Sequence, residues 1–295
     1  MDSRTRVACV QVEPVILDRA GTIEKIAEIC GEAASESASL VAFPEAFIPA
    51  YPSSRWARFL AGWSDSKAIY ARLARESLTV PSPDADRLGE IAHEHSVWLA
   101  VGANELERGT IYNALLVYSP EGRLALHHRK LVPTNHERLV WGFGNGEGLG
   151  TIETDIGRVG GLICWENLMP LARFSLYEAG VEIYLAPTAD DSEQWHDSIR
   201  HIARESRAFV VSPSVYQHAD SYPDDIPIYE GPKLLGRGGS AIVGPDGSYL
   251  AGPLWDEEGI LYADLDPQLL YEERQRFDPA GHYHRPDVFR LRVRR

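Results

Sequence analysis

Long apolar runs are absent from this chain: no stretch of its 295 residues approaches the roughly 20 apolar residues of a membrane-spanning helix. The start, Met1-Asp2-Ser3-Arg4-Thr5-Arg6, leads straight into strand-like Val7-Ala8-Cys9-Val10 without the apolar segment of an export signal. Cysteine is scarce as well. The 3 copies, Cys9, Cys30 and Cys164, are odd in number and far apart, which gives neither a disulfide framework nor a zinc-ligand pattern. These absences together predict a cytoplasmic protein in a reducing compartment. Positive charge is also in short supply, with 29 Lys and Arg against 43 Asp and Glu and a formal net charge of -14. This argues against nucleic acid, whose phosphates need clustered cations, and against an anionic membrane surface. Small molecules and other proteins remain as partners.

Low-complexity linkers are missing too, so one domain over residues 1–295 is expected, and an apolar content of 44% suffices to fill its core. Strand and helix patterns alternate with short turns, which is the α/β pattern. Thr5 to Val12 and Leu40 to Phe43 read as buried strands, separated by a helical face of Ile23, Ile26, Ala27 and Cys30. A helix over Asp84 to His95 precedes strands at Val97 to Val101 and Ile111 to Tyr118. Val181 to Ala186 and Ala208 to Ser212 are further strands, with Trp195, Ile199, Ile202 and Ser206 at helical spacing between them. Turn chemistry at Ser119-Pro120-Glu121-Gly122 and Gly244-Pro245-Asp246-Gly247 adds hairpins, so the sheets should be mixed. The polar segment 217–237 reads as a surface or lid loop bearing on specificity. The tail, about 277–295, has no helical period and is expected to run extended over a surface or a partner.

Chemistry concentrates at strand ends. Cys164 closes the apolar run Arg158-Val159-Gly160-Gly161-Leu162-Ile163 and precedes the polar, helix-opening Trp165-Glu166-Asn167. A thiol on such a turn projects outward, and helix-start N–H groups would favour its thiolate. A small core hydrophobe is the competing reading, since free cysteines are among the most buried residues. Phe43-Pro44-Glu45 ends another strand with a carboxylate, sited either as a base with a pKa raised by low-dielectric surroundings or as a group satisfied by local N–H donors. In Leu126-His127-His128-Arg129-Lys130-Leu131-Val132-Pro133, Lys130 suits either stabilisation of developing negative charge or a solvated charge cluster. His127 and His128 face opposite sides of a strand, and they belong to no ligand set, so a metal is not expected. Glu137, in Asn135-His136-Glu137-Arg138, is placed to pair with Lys130 or Arg138.

Taken in order, Phe43-Pro44-Glu45, His128-Arg129-Lys130-Leu131 and Cys164-Trp165-Glu166-Asn167 resemble the Glu-Lys-Cys signature of the nitrilase superfamily. The block from Lys130 to Gly142, the loop Phe47-Ile48-Pro49-Ala50-Tyr51-Pro52 and the tail Gly281-His282-Tyr283 are similar to the nitrilase branch in particular. The resemblance implies a four-layer αββα sandwich with two mixed sheets, associating through helices near the nucleophile into a homodimer or higher oligomer. A chain stopping at Arg295, without the long extension of filament-forming members, argues against long spirals but not dimers. By position, Cys164 would be the nucleophile, Glu45 the general base, Lys130 the electrostatic stabiliser and Glu137 a second, positioning acid. Tyr51, Trp165, Glu166 and Trp195 are the candidates for substrate contact. The implied activity is hydrolysis of a small-molecule nitrile, aromatic or arylaliphatic by the aromatic residues near the motifs, to a carboxylic acid and ammonia, with no cofactor and no metal. An amidase or N-carbamoyl hydrolase on the same fold is the near alternative. A catalytically silent binding or scaffold protein and a Cys-His hydrolase using His196 or His201 are the distant ones.

Overall fold

The computed structural model describes residues 1–60, 67–228 and 230–294. Tyr229 of the polar 217–237 segment and Arg295 of the tail lie outside the described residues. In chain order the first elements are β1 (Thr5–Gln11), α1 (Arg19–Ser35), β2 (Leu40–Ala42), α2 (Ser54–Leu60), α3 (Lys67–Glu76), α4 (Pro83–Glu94), β3 (Trp98–Glu107), β4 (Thr110–Tyr118) and β5 (Leu124–Arg129). The chain continues through β6 (Ile152–Thr154), β7 (Gly157–Gly161), α5 (Pro170–Glu178), β8 (Ile183–Leu185), α6 (Glu193–Ser206), β9 (Phe209–Ser212) and β10 (Tyr216–His218). It ends with β11 (Leu234–Val243), β12 (Tyr249–Trp255), β13 (Gly259–Leu265) and α7 (Pro267–Arg276).

Alternation along the strands builds the layers. In β1, Val7 and Cys9 point to one apolar cluster while Ala8 and Val10 point to another, as the two-residue period of a strand requires. The first cluster also takes Leu40, Leu115, Val117, Ile183, Leu185, Phe209 and Ile242, so it is the interior between two sheets. The second packs Val41, Leu99, Val101 and Leu116 against Ile23, Ile26 and Cys30 of α1 and Leu88 and Ile91 of α4. A third covers the far face of the other sheet, where Tyr184 and Val210 meet Leu176 of α5 and Trp195, Ile199 and Ile202 of α6. The result is an αββα sandwich. Side-chain oxygens of Asp18, Ser82 and Ser192 accept from the first-turn amides of α1, α4 and α6, which fixes where these covering helices begin.

The first sheet runs β13-β1-β2-β3-β4-β5 and the second β10-β11-β9-β8-β7-β6, with β12 paired to β11. Both are mixed. β1, β2 and β3 are parallel, as are β7, β8 and β9, and the remaining pairings are antiparallel. Because β4 is antiparallel to β3 and β5 to β4, β5 points the same way as β2. The carboxyl ends of β2 and β5 therefore share one edge, and Glu45 and Lys130 lie just beyond them. In the second sheet Cys164 lies just beyond β7 and Thr188 just beyond β8.

The 217–237 segment, read as a surface or lid loop, exposes 220–221, 224–225 and 230–233. Its ends are β10 and β11, paired antiparallel, and Arg72 holds Asp225 at 2.9 Å, so it is a long hairpin connection tied to α3. The tail crosses α5, with His284 edge-on to Phe174 at 5.3 Å between ring centres and Val293 packed on the outer helical layer. Among the described residues no helix is long and apolar enough to cross a membrane.

Candidate active site

Glu45, Lys130, Glu137 and Cys164 meet at the seam between the sheets, all of them buried. Lys130 Nζ donates to Glu45 Oε1 at 2.8 Å and to Glu137 Oε2 at 2.7 Å. The acid groups and the thiol have polar atoms within 4.8 Å of one another. Glycine permits the close packing at two points. A Cβ on Gly102 would stand 2.2 Å from the Pro44 carbonyl, and one on Gly144 would stand 2.7 Å from the Lys130 carbonyl. A larger residue at either point would displace the backbone that carries Glu45 or Lys130.

Each acid is held by a further donor. Asn113 Nδ2 bonds Glu45 Oε1 at 2.7 Å, leaving Glu45 Oε2 without a hydrogen-bond partner among the described residues. Tyr51 donates its hydroxyl to Glu137 Oε1 at 2.9 Å, and the Thr134 amide donates to Glu137 Oε2 at 2.6 Å. The thiol is reached by Thr188, whose hydroxyl donates to Sγ at 3.3 Å, while the Cys164 amide bonds the Pro187 carbonyl at 2.8 Å. Cys164 has φ of 52°, in the left-handed region that side-chain-bearing residues enter at a cost.

Protonation is set by burial and charge. Burial pushes Glu45 up to about 7 against the pull of the Lys130 ammonium, with Glu137 adding to the rise. Burial alone would lower Lys130, but Glu45, Cys164 and Glu137 outweigh it and hold the ammonium charged. Burial, and then the negative charge of Glu45, push the Cys164 thiol up, with Lys130 opposing. The expectation of a helix-stabilised thiolate is thus corrected. Cys164 opens a 3-10 turn of 5 residues, and burial, with the charge of Glu45 next, works against the thiolate there. The two carboxylates and the thiol would suit a metal by spacing alone, yet the Lys130 ammonium is bonded to both acids and already supplies the positive charge.

The four residues expected to touch substrate have different fates. Tyr51 reaches the site through Glu137 and, with Phe47, Val215 and Gln217, lines a small cavity on the Glu45 side. Trp165 is about half exposed, bonds Asp190 through its indole at 2.6 Å, and lines a cleft of about 500 Å³ with Val132, Pro133, Thr134, Asn135 and Arg138. Trp195 is enclosed, its indole bonded to Ser212 at 3.0 Å in the outer helix layer, so it is a packing residue and offers substrate no surface. Glu166 borders the same cleft as Trp165, but both of its oxygens are taken by His128 and two backbone amides and its carboxylate is buried. His196 bonds Tyr249 at 2.9 Å and His201 is exposed, so neither is engaged with the thiol. Asn113 and Thr188 were missed. A lone amide inside the apolar run Ile111 to Tyr118 was the available signal for the first, and a hydroxyl just past a strand end for the second.

A buried thiol, two carboxylates and an ammonium meet at the seam of an αββα sandwich, an arrangement suited to hydrolysis. Residues 6–275 match the carbon-nitrogen hydrolase family. The chain is 42% identical to an aliphatic nitrilase of Sinorhizobium fredii (strain HH103), covering 99% of this chain and 96% of that one. It is 38% identical to a bifunctional nitrilase/nitrile hydratase of Lupinus angustifolius, over 98% of this chain and 86% of that one. The crystal structure of a carbon-nitrogen hydrolase from Helicobacter pylori G27 superposes with a TM-score of 0.76 at 22% identity, covering 97% of each chain. The chain belongs to the carbon-nitrogen hydrolase family.

Proposed function

We propose that this protein is a nitrilase that converts a nitrile and two waters into a carboxylic acid and ammonia, with residues 1–295 acting as one domain. The observation that carries the reading is a buried thiol beside a carboxylate, Glu45, with one oxygen free to take its proton. Relatives named as nitrilases, matched over nearly the whole chain, support the choice of bond.

Glu45 takes the Cys164 proton as sulfur attacks the nitrile carbon, and returns it to nitrogen, giving a thioimidate. Glu45 then deprotonates a water that adds to this carbon. Nitrogen, protonated again, leaves as ammonia when the carbon–nitrogen bond breaks and the carbonyl forms, which leaves a thioester. A second water, activated in the same way, breaks the carbon–sulfur bond and restores the thiol. Lys130 stabilises the charge that develops on nitrogen and oxygen, and Glu137 fixes Lys130. Expulsion of sulfur from the first tetrahedral species would yield the amide instead.

The half-exposed indole of Trp165, next in sequence to the nucleophile, supports aromatic or arylaliphatic nitriles. The relative named for aliphatic substrates makes aliphatic nitriles the second reading. Exposed Leu168 and Leu171, at and beside the start of α5, support self-association. A panel of arylaliphatic, aromatic and aliphatic nitriles, amides and N-carbamoyl amino acids tests the assignment. Equal amounts of acid and ammonia are expected from at least one nitrile class, arylaliphatic first. Ammonia from amides or carbamoyl compounds but from no nitrile would overturn it.

The base must be ionised to act, and its folded pKa is raised. Activity should therefore be lost on the acid side, with kcat/KM falling about tenfold per unit of pH below about 7. A pH–rate profile that stays flat down to about pH 5, near the ordinary carboxylate range, would remove Glu45 from this role.

A further inference from the structure

Glu166 makes none of the contacts proposed above for the reaction, yet it touches both halves of the site. Its Oε1 accepts from the Leu131 amide at 2.8 Å, one residue beyond Lys130. Its Oε2 accepts from the Ile163 amide at 2.9 Å, one residue before Cys164. His128 Nε2 lies 2.9 Å from the same oxygen. A carboxylate only accepts, so His128 carries its hydrogen on Nε2 and donates, while Nδ1 has no partner among the described residues. His128 stands two residues before Lys130, and both are buried, so they share the inner face at the end of β5. Lys130 and Cys164 belong to different sheets, and no backbone ladder joins β5 to β7. Glu166 supplies that join.

The Cys164 turn needs such a hold. Its backbone is in the left-handed region, and Asn167 steadies it from the other side by donating to the Leu162 and Cys164 carbonyls at 2.8 and 2.9 Å. Among the described residues, the hydrogen bonds that tie this turn to the first sheet are those of Glu166 with Leu131 and His128, while Thr188 and Pro187 hold it to the second.

We propose that Glu166 and His128 are positioning residues: the carboxylate is a strut that sets the distance from Cys164 Sγ to Lys130 and Glu45, and the His128 N–H keeps the strut in place. The inference rests on Cys164 being the nucleophile. It assigns Glu166 to catalytic geometry in place of substrate contact.

Two polar substitutions separate the hydrogen bond from simple packing. In His128→Gln the amide nitrogen stands where Nε2 stands, while in His128→Asn the shorter chain stops near Nδ1 and cannot reach Glu166. Since a displacement on the order of 1 Å costs on the order of a hundredfold in rate, His128→Asn is expected to lower kcat at least about tenfold with KM within about twofold. His128→Gln is expected to recover kcat to within about threefold of the wild type. Alkylation of Cys164 by iodoacetamide, followed by peptide mass, should fall and recover in the same order without any nitrile present. Equal losses in the two variants, or wild-type kcat and alkylation in His128→Asn, would overturn the strut. Should His128→Asn fail to fold, Glu166→Gln decides: it must lose kcat at unchanged KM, and a wild-type kcat there overturns the proposal. A wild-type protein inert toward every nitrile would sink the nitrilase reading alone, because the alkylation series still tests the strut.

Discussion

Cys164→Ala should abolish ammonia release from every nitrile that the wild-type protein hydrolyses, a loss on the order of 10⁴-fold or more in kcat. The nitrile carbon is a poor electrophile, and the groups around it offer no substitute. The Thr188 hydroxyl is 3.3 Å from Sγ, but it donates to the sulfur and has no base of its own among its contacts. Alanine adds no strain, since cysteine already occupies the left-handed backbone there with a Cβ of its own. A thermal melt that matches the wild type would certify the fold, and ammonia and acid would be measured together. Residual turnover above about 1% of wild type would exclude a covalent path through this residue.

Glu45→Gln should cost about 10²–10⁴ in kcat, the range of a general base, and should erase the acid-side fall in the pH profile. The amide keeps the shape of the acid and can still accept from Lys130, which retains Glu137. The thiol should respond in the opposite sense. After burial, the charge of Glu45 is the largest influence that raises Cys164, so removing it makes the thiolate easier to form. Iodoacetamide should then alkylate Cys164 faster in the variant than in the wild type at the same pH, even as turnover collapses. A general loss of structure would slow turnover without this selective gain at Cys164. Retained turnover would sink the proposed role of Glu45.

The chemistry was easier to read than its surroundings. Glu45 and Cys164 each come just after an apolar run and Lys130 at the end of a strand that breaks at a proline, and a charged or nucleophilic group in such a position is visible without coordinates. Helices with a broad apolar stripe were legible for the same reason: α1 buries Ile23, Ile26 and Cys30, and α4 buries Leu88, Ile91 and Ala92. By contrast α3 buries only Leu73 and α7 only Leu270, so little periodic signal marks them. α5 is hidden behind the 3-10 turn that starts at Cys164, with Pro170 at its first position. β12 carries Gly252 and Pro253, which read as turn residues until their pairing with β11 is known. Trp195 shows how residue type misleads when position does not. It keeps the spacing of Ile199 and Ile202 and is buried with them, which the helical period already implied. Glu166 shows the reverse, since nearness to Cys164 in sequence says nothing of direction, and only tertiary contacts with Leu131 and His128 reveal where its carboxylate lies.

The ion trio of Glu45, Lys130 and Glu137 holds two anions around one cation, so once Glu45 has ionised this enclosure carries a surplus of negative charge. A nitrile enters uncharged and meets no electrostatic barrier. Under the proposed reaction it would depart as a carboxylate, an anion in a water-poor space that already repels anions. Turnover would thus convert a tolerated guest into a rejected one, and the same ions that organise bond making would drive clearance of the product.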